Sequence, residues 1–412
     1  MSLVELAIDD LRCIERAELS FHPGHNLIWG GNGSGKTSLL EAIFLLGRGR
    51  SFRTRNSERL IRYGRDHLVV FGRTGGASVT GQSPIGGAAY QELGEFSSLS
   101  ADGIAASSGP ATNARAESAE ILGVQSRAFA FAGRSFGQSL GVQVSRTDGT
   151  SARISGTNTK SLTELTQAFP VQVIDPGVHK LVEEGGHRRR RWMDWAVFHV
   201  EHQFGDWWLR YTRTLKQRNA ALRTQPAQAG IWDSELIRLG ELIAAARGRF
   251  VEDLLPYWKE SVLALSGLEP ELHYFKGWAQ DMSLAEALVA SKGRDEAKRI
   301  THPGPHRADV MVRMKGRPAR EILSRGQQKL VAVAMTLAQL HLLKNATQTT
   351  PTLLLDDPAA ELDGEHLRRF INQVLRLNSQ LVLTSLQPKF QLFGEPDRVF
   401  HVEHGRVTPS LP

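Results

Sequence analysis

Alternating apolar and polar positions near the start of the chain predict short β-strands that each bury one face. Residues 3–8 and 17–21 alternate in this way, and the apolar runs at residues 26–29 and 67–71 predict two further strands. After the third segment, apolar residues recur at three- and four-residue spacing from Leu39 to Leu46, which predicts an amphipathic helix. The opening of the chain therefore predicts a sheet with one helix packed on it.

A change in composition separates this part from the next predicted strands. Residues 74–138 are rich in glycine, alanine and serine and contain few large apolar side chains. Such a segment buries too little apolar area to order itself, so we expect a flexible surface insertion, with a partner-binding loop as the alternative. Alternation resumes at residues 141–146 and 152–155, and a strand pattern over residues 169–176 ends at proline.

Helical periodicity dominates the middle of the chain. Apolar residues at helical spacing cover residues 205–223 and 231–266, and the break between them contains Pro226. These patterns predict a mainly helical lobe. Beyond it, residues 352–355 form a short apolar run that is typical of a buried parallel strand.

Composition is that of a globular protein with two or three domains. The chain has 412 residues, of which 41% are hydrophobic and 23% charged. A single cysteine, Cys13, excludes an internal disulfide, and no apolar run is long enough to span a membrane. The first residues lack the basic segment of a signal peptide, so we expect a cytoplasmic protein. A net charge of +7 favours a polyanionic partner.

A glycine-rich motif stands between the third predicted strand and the predicted helix. It fits the pattern GxxxxGK[ST] in the strand–loop–helix context of a phosphate-binding loop, which a chance glycine-rich turn does not explain. Backbone N–H groups of such a loop cradle phosphate oxygens. Lys36 is expected to reach the β- and γ-phosphates of ATP, and the Thr37 hydroxyl to bind Mg²⁺. The predicted nucleotide-binding residues are Gly30, Gly31, Asn32, Gly33, Ser34, Gly35, Lys36 and Thr37.

Two adjacent carboxylates follow the buried strand of residues 352–355. The carboxyl end of a parallel strand is where such sheets bind ligands. Asp356 is expected to hold the water shell of Mg²⁺, and Asp357 to accept a proton from the attacking water. The alternative is a solvated strand end, which the phosphate-binding loop in the same chain disfavours. About 320 residues separate Lys36 from Asp356, which indicates a nucleotide domain split by a large insertion.

A second candidate anion site precedes a predicted helix. Ser324 and Gly326 stand at its start, where a hydroxyl, backbone N–H groups and the helix dipole can meet an anion. Because the chain already has a complete phosphate-binding loop, we expect this turn to serve a nucleotide held by another subunit. Two copies would then enclose two ATP molecules in a two-fold dimer. The alternative is an ordinary helix cap by Ser324.

These motifs together resemble the ABC-type ATPases of the SMC family, and within it the RecF family. The further segments that carry the resemblance are residues 50–54, 304–307, 323–329 and 353–363. It implies an α/β fold, an ABC-type P-loop ATPase head with a mixed sheet, split into N- and C-terminal parts by an inserted, mainly helical lobe. The expected parts are residues 1–73 with 139–180, the insertion 74–138, the helical lobe 181–300, and residues 301–412.

The resemblance also implies a function. Members of this family bind ATP and Mg²⁺, dimerise on ATP, and bind duplex DNA and single-strand gap junctions without sequence preference. Weak, DNA-stimulated ATP hydrolysis serves as their switch for release, and they help RecO and RecR to load RecA in recombinational repair and replication restart. A different SMC-like head ATPase and a small-molecule P-loop enzyme are the alternatives.

Several residue roles follow from the resemblance alone. Arg12 matches an arginine near the nucleotide base, and Ser324 and Gly326 match residues that touch the γ-phosphate of the other subunit. Gln327 is assigned to nucleotide binding with them. Asp363 matches a residue in a loop that links the two sites of the dimer.

The chain departs from the family pattern in three places. Its insertion at residues 74–138 is longer than usual, and Gly177 follows Pro176 where the family often has an acid. After residues 381–385 there is no histidine in the switch position of ABC ATPases, and Thr384 is the nearest candidate.

Two basic segments are candidates for DNA contact. Residues 188–191 are four consecutive arginines, although pairing with Glu183 and Glu184 is an equally good interpretation. The other candidates are Arg50, Arg53 and Arg55, in the loop after the predicted helix. The sequence does not choose between the two segments.

Overall fold

The computed structural model describes residues 2–75, 137–159, 161–347, 350–360, 362–388 and 394–410. The predicted flexible insertion lies outside these ranges from residue 76 to residue 136, and position 361 also lies outside them. Within the described residues, no helix combines the length and the apolar character needed to cross a bilayer.

The described residues contain both strands and helices. The strands are β1 (Ser2–Leu11), β2 (Ile14–Ser20), β3 (His25–Trp29), β4 (His67–Gly75), β5 (Ser139–Ser145), β6 (Gly149–Ile154), β7 (Thr157–Asn158), β8 (Val171–Ile174), β9 (Glu271–Phe275), β10 (Asp309–Met314), β11 (Arg317–Pro318), β12 (Thr352–Leu355), β13 (Leu381–Ser385), β14 (Arg398–Glu403) and β15 (Arg406–Ser410). The helices are α1 (Lys36–Arg48), α2 (Leu162–Ala168), α3 (Lys180–Glu183), α4 (Gly186–Val200), α5 (Phe204–Thr224), α6 (Asp233–Ser266), α7 (Leu284–Lys298), α8 (Ala319–Ile322), α9 (Arg325–Thr347) and α10 (Gly364–Leu377).

The elements predicted from periodicity are confirmed. The first four predicted strands are β1 to β4, and the amphipathic helix after the third is α1. The later alternating segments correspond to β5, β6 and β8, and the two long helical patterns to α5 and α6.

The described residues form two compact units. The first takes its residues from Met1–Gln172, Gln380–Lys389 and Glu395–Pro412, and the second from Val173–Ser379 and Phe390–Gly394. The predicted division into four parts stays a prediction.

An antiparallel sheet forms one layer of the first unit. Its strand order is β2-β1-β4-β5-β6-β7. Leu6 of β1 stands opposite Leu19 of β2, and Val70 of β4 stands opposite Val142 of β5. Buried apolar residues thus face one another across the strands, which explains the alternation seen in the sequence. Helix α1 contributes buried leucines and packs against β1, β4 and β5.

A second group of strands in the first unit surrounds β3. Strand β3 runs parallel to β13 on one side and to β14 on the other, so that Leu27 stands opposite both Leu383 and Val399. Strand β15 returns antiparallel to β14. The middle of β3 is buried, as expected of a central parallel strand. This position fixes the loop that follows β3.

The second unit is mainly helical. Helix α6 packs against both α5 and α9. Its apolar face includes Leu239, Ile243 and Phe250, all nearly fully buried. Strands β9, β10 and β11 form a small antiparallel sheet in this unit, in the order β11-β10-β9. All four residues of β12 are buried.

Candidate nucleotide-binding site

The predicted phosphate-binding loop, residues 30–37, connects β3 to α1. The Gly30 N–H donates to the Ser385 carbonyl oxygen at 3.3 Å. A Cβ atom on Gly30 would lie 2.2 Å from the Val402 carbonyl oxygen, so no larger residue fits there. Gly35 has a φ of 120°, in the region that favours glycine. Strand packing and backbone conformation therefore both require glycine in this loop.

Positive charge is concentrated where the loop meets α1. The Lys36 ammonium donates to the carbonyl oxygens of Gly30 at 2.7 Å and Gly31 at 2.8 Å, and its side chain is buried. The N-cap residue, Gly35, supplies no side-chain hydrogen bond, and the first turn of α1 has no acidic residue. The helix N-terminus and the ammonium therefore favour an anion at this point.

The remaining loop residues differ in exposure. Gly31, Asn32 and Gly33 are exposed, whereas Ser34 is buried. The Ser34 hydroxyl oxygen has no hydrogen-bond partner among the described residues. Thr37 is half-buried in the first turn of α1. All eight predicted residues thus belong to one continuous loop and helix start.

The turn between β14 and β15 supports the phosphate-binding loop, a contact that sequence reasoning missed. The Gly405 N–H donates to the Ser34 carbonyl oxygen at 2.8 Å, and a Cβ on Gly405 would lie 2.1 Å from the Cys13 carbonyl oxygen. The ring of His401 stacks on Trp29 with centroids 4.0 Å apart. The sequence does contain one signal for this turn, because the pair His404-Gly405 stands between two alternating segments.

A cavity of about 840 Å³ opens beside this loop in the first unit. Its charged lining residues are Glu15, Arg16, Arg62, Glu403 and Arg406, and Cys13 and His404 also line it. It reaches the phosphate-binding loop, because a Cβ on Gly35 would lie 3.0 Å from the Cys13 sulfur. Cys13 therefore lies between the cavity and the phosphate-binding loop.

Arg12, which is predicted to lie near the base of the bound nucleotide, forms an ion pair with a buried carboxylate. Its guanidinium donates to Glu41 at 2.9 Å, and the Glu41 side chain on α1 is completely buried. The Ser51 hydroxyl also donates to Glu41, and the Arg53 guanidinium lies 3.7 Å away. Glu41 was missed, although an acid within the apolar run Leu39–Leu46 was a signal. The nucleotide role of Arg12 stays a prediction.

The two predicted carboxylates follow β12 in the second unit. The Asp356 N–H donates to the Ile174 carbonyl oxygen at 3.0 Å, which brings the ends of β12 and β8 together. Asp175 follows Ile174, and burial raises its pKa, with a smaller contribution from the charge of Asp356. Asp357 has a φ of 47°, an unusual conformation for a residue other than glycine. Asp175 is thus an additional carboxylate at this edge, which the sequence reasoning missed.

The second candidate anion site, at Ser324 and Gly326, forms the cap of helix α9. The Ser324 hydroxyl oxygen accepts from the Gln327 N–H at 3.3 Å, and the Ser324 N–H donates to the Gln327 side chain at 3.0 Å. This is the geometry of a capping box. A Cβ atom on Gly326 would meet nothing within 4 Å, so packing within the chain does not require glycine there. Asp363 caps α10, where its side chain accepts from the Glu365 and His366 N–H groups.

In the arginine run at residues 188–191, three side chains form ion pairs or hydrogen bonds with other residues of the second unit. Arg188 pairs with Glu184, and Arg189 forms two hydrogen bonds with Asp309, at 2.8 and 2.9 Å. Arg190 donates to the Ala308 carbonyl oxygen at 2.6 Å. The expected pairing with Glu184 is found for Arg188, whereas Arg189 and Arg190 have partners that were not predicted.

Residues 304–307 also contact other residues of the second unit. The His306 ring lies 2.7 Å from the Tyr211 hydroxyl and 3.1 Å from the Thr301 carbonyl oxygen. Burial lowers the pKa of His306 to about 4, so the ring is neutral. The fully buried Arg247 donates to the Pro305 carbonyl oxygen at 2.6 Å. This motif therefore holds the helical unit together.

Two solved structures share the fold over nearly the whole chain. The structure of the recombination mediator protein RecF with ATP, from the RecFOR pathway, covers 100% of this chain and 98% of its own, with a TM-score of 0.78 at 23% identity. An Smc head bound to the C-winged helix domain of ScpA covers 100% of this chain and 97% of its own, with a TM-score of 0.51 at 13% identity. The chain therefore has the fold of an SMC-type ATPase head, as predicted.

Sequence comparison narrows this class to one family. The model described as the RecF/RecN/SMC N terminal domain matches residues 2–79 and 95–408. The DNA replication and repair protein RecF of Pseudomonas aeruginosa is 34% identical over 418 residues, covering 100% of this chain and 98% of the relative. The RecF protein of Shewanella oneidensis is 34% identical over 414 residues, covering 99% of each. The chain belongs to the RecF family.

Proposed function

We propose that this chain is an ATP-dependent DNA-binding protein of recombinational repair and replication restart. It binds ATP and dimerises on duplex DNA and at single-strand gap junctions. Slow hydrolysis of ATP then releases the protein from the DNA. Its proposed partners are RecO and RecR, and the combined action helps to load RecA in the cytoplasm. The relatives are named as DNA replication and repair proteins, and a structural neighbour is named as ATP-bound and part of the RecFOR pathway.

The observation that carries the proposal is the geometry of Lys36. Its buried ammonium is held above the loop by two carbonyl oxygens, at the uncapped start of α1. This arrangement suits the β- and γ-phosphates of a nucleoside triphosphate. We assign the nucleoside to the adjacent cavity, whose lining carries both signs of charge: Arg16, Arg62 and Arg406 beside Glu15 and Glu403.

The oxygen donors for Mg²⁺ are the Thr37 hydroxyl and the Asp356 carboxylate. Both are hard oxygen ligands of the kind that Mg²⁺ prefers. When bound, the ion would neutralise charge on the phosphates. Asp357 is the proposed acceptor of the proton from the attacking water.

Asp357→Asn tests the proposed base without disturbing the backbone. Asparagine tolerates the positive φ of this position and keeps the shape of the side chain, but it cannot accept the proton. We expect ATP affinity to be retained and the hydrolysis rate to fall by about 10²-fold or more. Steady-state phosphate release measures the rate. Unchanged turnover would show that Asp357 is not the base.

Ser324 variants separate helix capping from a contact with the nucleotide of another subunit. Aspartate and threonine both cap helices, so Ser324→Asp and Ser324→Thr should keep α9 intact. Only aspartate places a negative charge where the γ-phosphate is proposed to lie. We expect both variants to bind ATP, and only Ser324→Thr to dimerise on it. An ATP-dependent dimer of Ser324→Asp would refute the contact.

Light scattering with and without ATP-Mg²⁺, followed by addition of gapped DNA, tests the whole proposal. We expect a monomer that becomes a dimer with ATP and then binds DNA, with an affinity that falls as salt rises. A monomer that hydrolyses ATP without dimerising or binding DNA would contradict the proposal and favour a small-molecule enzyme.

A further inference from the structure

A turn in the first unit presents a fully exposed aromatic ring. Tyr63 has 100% of its surface exposed, whereas Tyr211 of the second unit is completely buried. Scattered exposed apolar residues are common and need no explanation by themselves. Tyr63 differs because of how its turn is held and which charges surround it.

The Tyr63 turn is anchored firmly on both sides. The Arg62 N–H donates to the Asp10 carbonyl oxygen at 2.9 Å, and the guanidinium of Arg65 lies 3.3 Å from the Asp10 carboxylate. The Arg146 side chain donates to the Arg65 carbonyl oxygen at 3.0 Å. The flanking backbone is therefore fixed while the ring projects outward. A preorganised turn loses little conformational freedom on binding, which favours a recognition role.

The segment that leads to Tyr63 is rich in arginine, although Arg62 and Arg65 beside the ring pair with Asp10, and Arg62 also pairs with Glu15. Residues 50–65 contain six arginines and a single acidic residue, Glu58. Arg55 and Arg59 are exposed, and neither pairs with a carboxylate of the described residues. Such cations favour a polyanion, and an exposed ring beside them favours a polyanion that carries aromatic groups.

We propose that Tyr63 stacks on an unpaired base of DNA whose phosphates are bound by Arg55 and Arg59. This assignment rests on the proposed DNA-binding function and names the part of the surface that meets a single-strand gap. Every base offers a π-face, so stacking needs no particular sequence. The bases of an intact duplex are already stacked, whereas a gap offers bases that are free to stack. Tyr63 therefore supplies a preference for gaps over duplex.

Two substitutions of Tyr63 test the stacking contact. Because the side chain is fully exposed, neither Tyr63→Ala nor Tyr63→Phe should disturb folding. With ATP-Mg²⁺ present, we expect Tyr63→Ala to lower the affinity for a gapped duplex by about ten-fold. Its affinity for a fully paired duplex of equal length should not change, and Tyr63→Phe should behave as the wild type. Fluorescence anisotropy of labelled DNA gives both affinities.

A fluorescent adenine analogue placed in the gap reports stacking directly. We expect its emission to be quenched by the wild type and by Tyr63→Phe, and not by Tyr63→Ala. Arg59→Ala is the matched control: it should weaken binding to both DNAs and reduce the salt slope by about one.

Three results would overturn the assignment. The first is an equal fall in the affinity of Tyr63→Ala for gapped and for fully paired DNA. The second is unchanged affinity of that variant for both DNAs, whether or not it loses a protein partner. If the wild type binds neither DNA, the proposed function falls together with this assignment. If the wild type binds both and Tyr63→Ala matches it, only the assignment falls.

Discussion

Lys36→Ala is expected to abolish most ATP binding. The variant removes the ammonium that the structure holds at the start of α1, and with it the charge-assisted hydrogen bonds proposed to the β- and γ-phosphates. A hydrogen bond to a charged group contributes about 1.5–3 kcal/mol, so the affinity should fall by about ten- to hundred-fold. Isothermal titration with ATP-Mg²⁺ measures the change.

The matched control removes an equal charge elsewhere. Lys216 is exposed on α5 in the second unit. Lys216→Ala therefore has the same net charge as Lys36→Ala but leaves the phosphate-binding loop unchanged. We expect its ATP affinity to equal that of the wild type. An affinity of Lys36→Ala within two-fold of the control, about 0.4 kcal/mol, would refute the assignment of residues 30–37 as a phosphate-binding loop.

Local patterns in the sequence were sufficient for much of the fold. Strands β1 and β2 and helices α1, α5 and α6 were predicted because each buries one face, which gives a period that one segment shows by itself, and β3 and β4 were predicted as short apolar runs. The phosphate-binding loop was predicted for the same reason, since its residues are contiguous. The roles assigned to Arg12, Gln327 and Asp363 came from resemblance and remain predictions.

Contacts between distant segments could not be predicted. Gly405 supports the phosphate-binding loop because β14 pairs with β3, and the pair His404-Gly405 indicates a turn in the sequence but not that pairing. The arginine run at residues 188–191 illustrates the same limit. Its main partner, Asp309, is 120 positions from Arg189, so the sequence could not separate a buried ion pair from a DNA contact.

Glycine at position 326 shows how structure and sequence complement each other. The sequence suggested an anion site at Ser324 and Gly326, and the structure shows a capped helix start there. Capping explains Ser324 and Gln327, but it does not explain a glycine with open space around it. A residue without a side chain is useful where another molecule approaches closely. This remaining question is the one that the Ser324 variants address.

Glu41→Ala is expected to cause the largest loss of stability in the first unit. The carboxylate is completely buried and accepts from Arg12 and Ser51, with Arg53 at 3.7 Å. Its removal leaves these donors without their acceptor, and breaking a buried ion pair costs about 3–5 kcal/mol. Since 24% of the Arg12 side chain is exposed, water can partly replace the carboxylate, which favours the lower end of that range. Urea unfolding measures the free energy.

Two further variants identify the cause of the expected loss. Glu41→Gln keeps an oxygen that can accept from Ser51 but lacks the charge, so it should cost less, about 1–2 kcal/mol. Glu18→Ala breaks a surface pair with Arg16, in which both side chains are 34% exposed, and should cost at most about 1 kcal/mol. If Glu41→Ala is no more destabilising than Glu18→Ala, Glu41 does not anchor Arg12 and residues 51–53 to α1. If the expected order holds, Glu41 fixes the helix that begins at Lys36 to Arg12 and to residues 51–53.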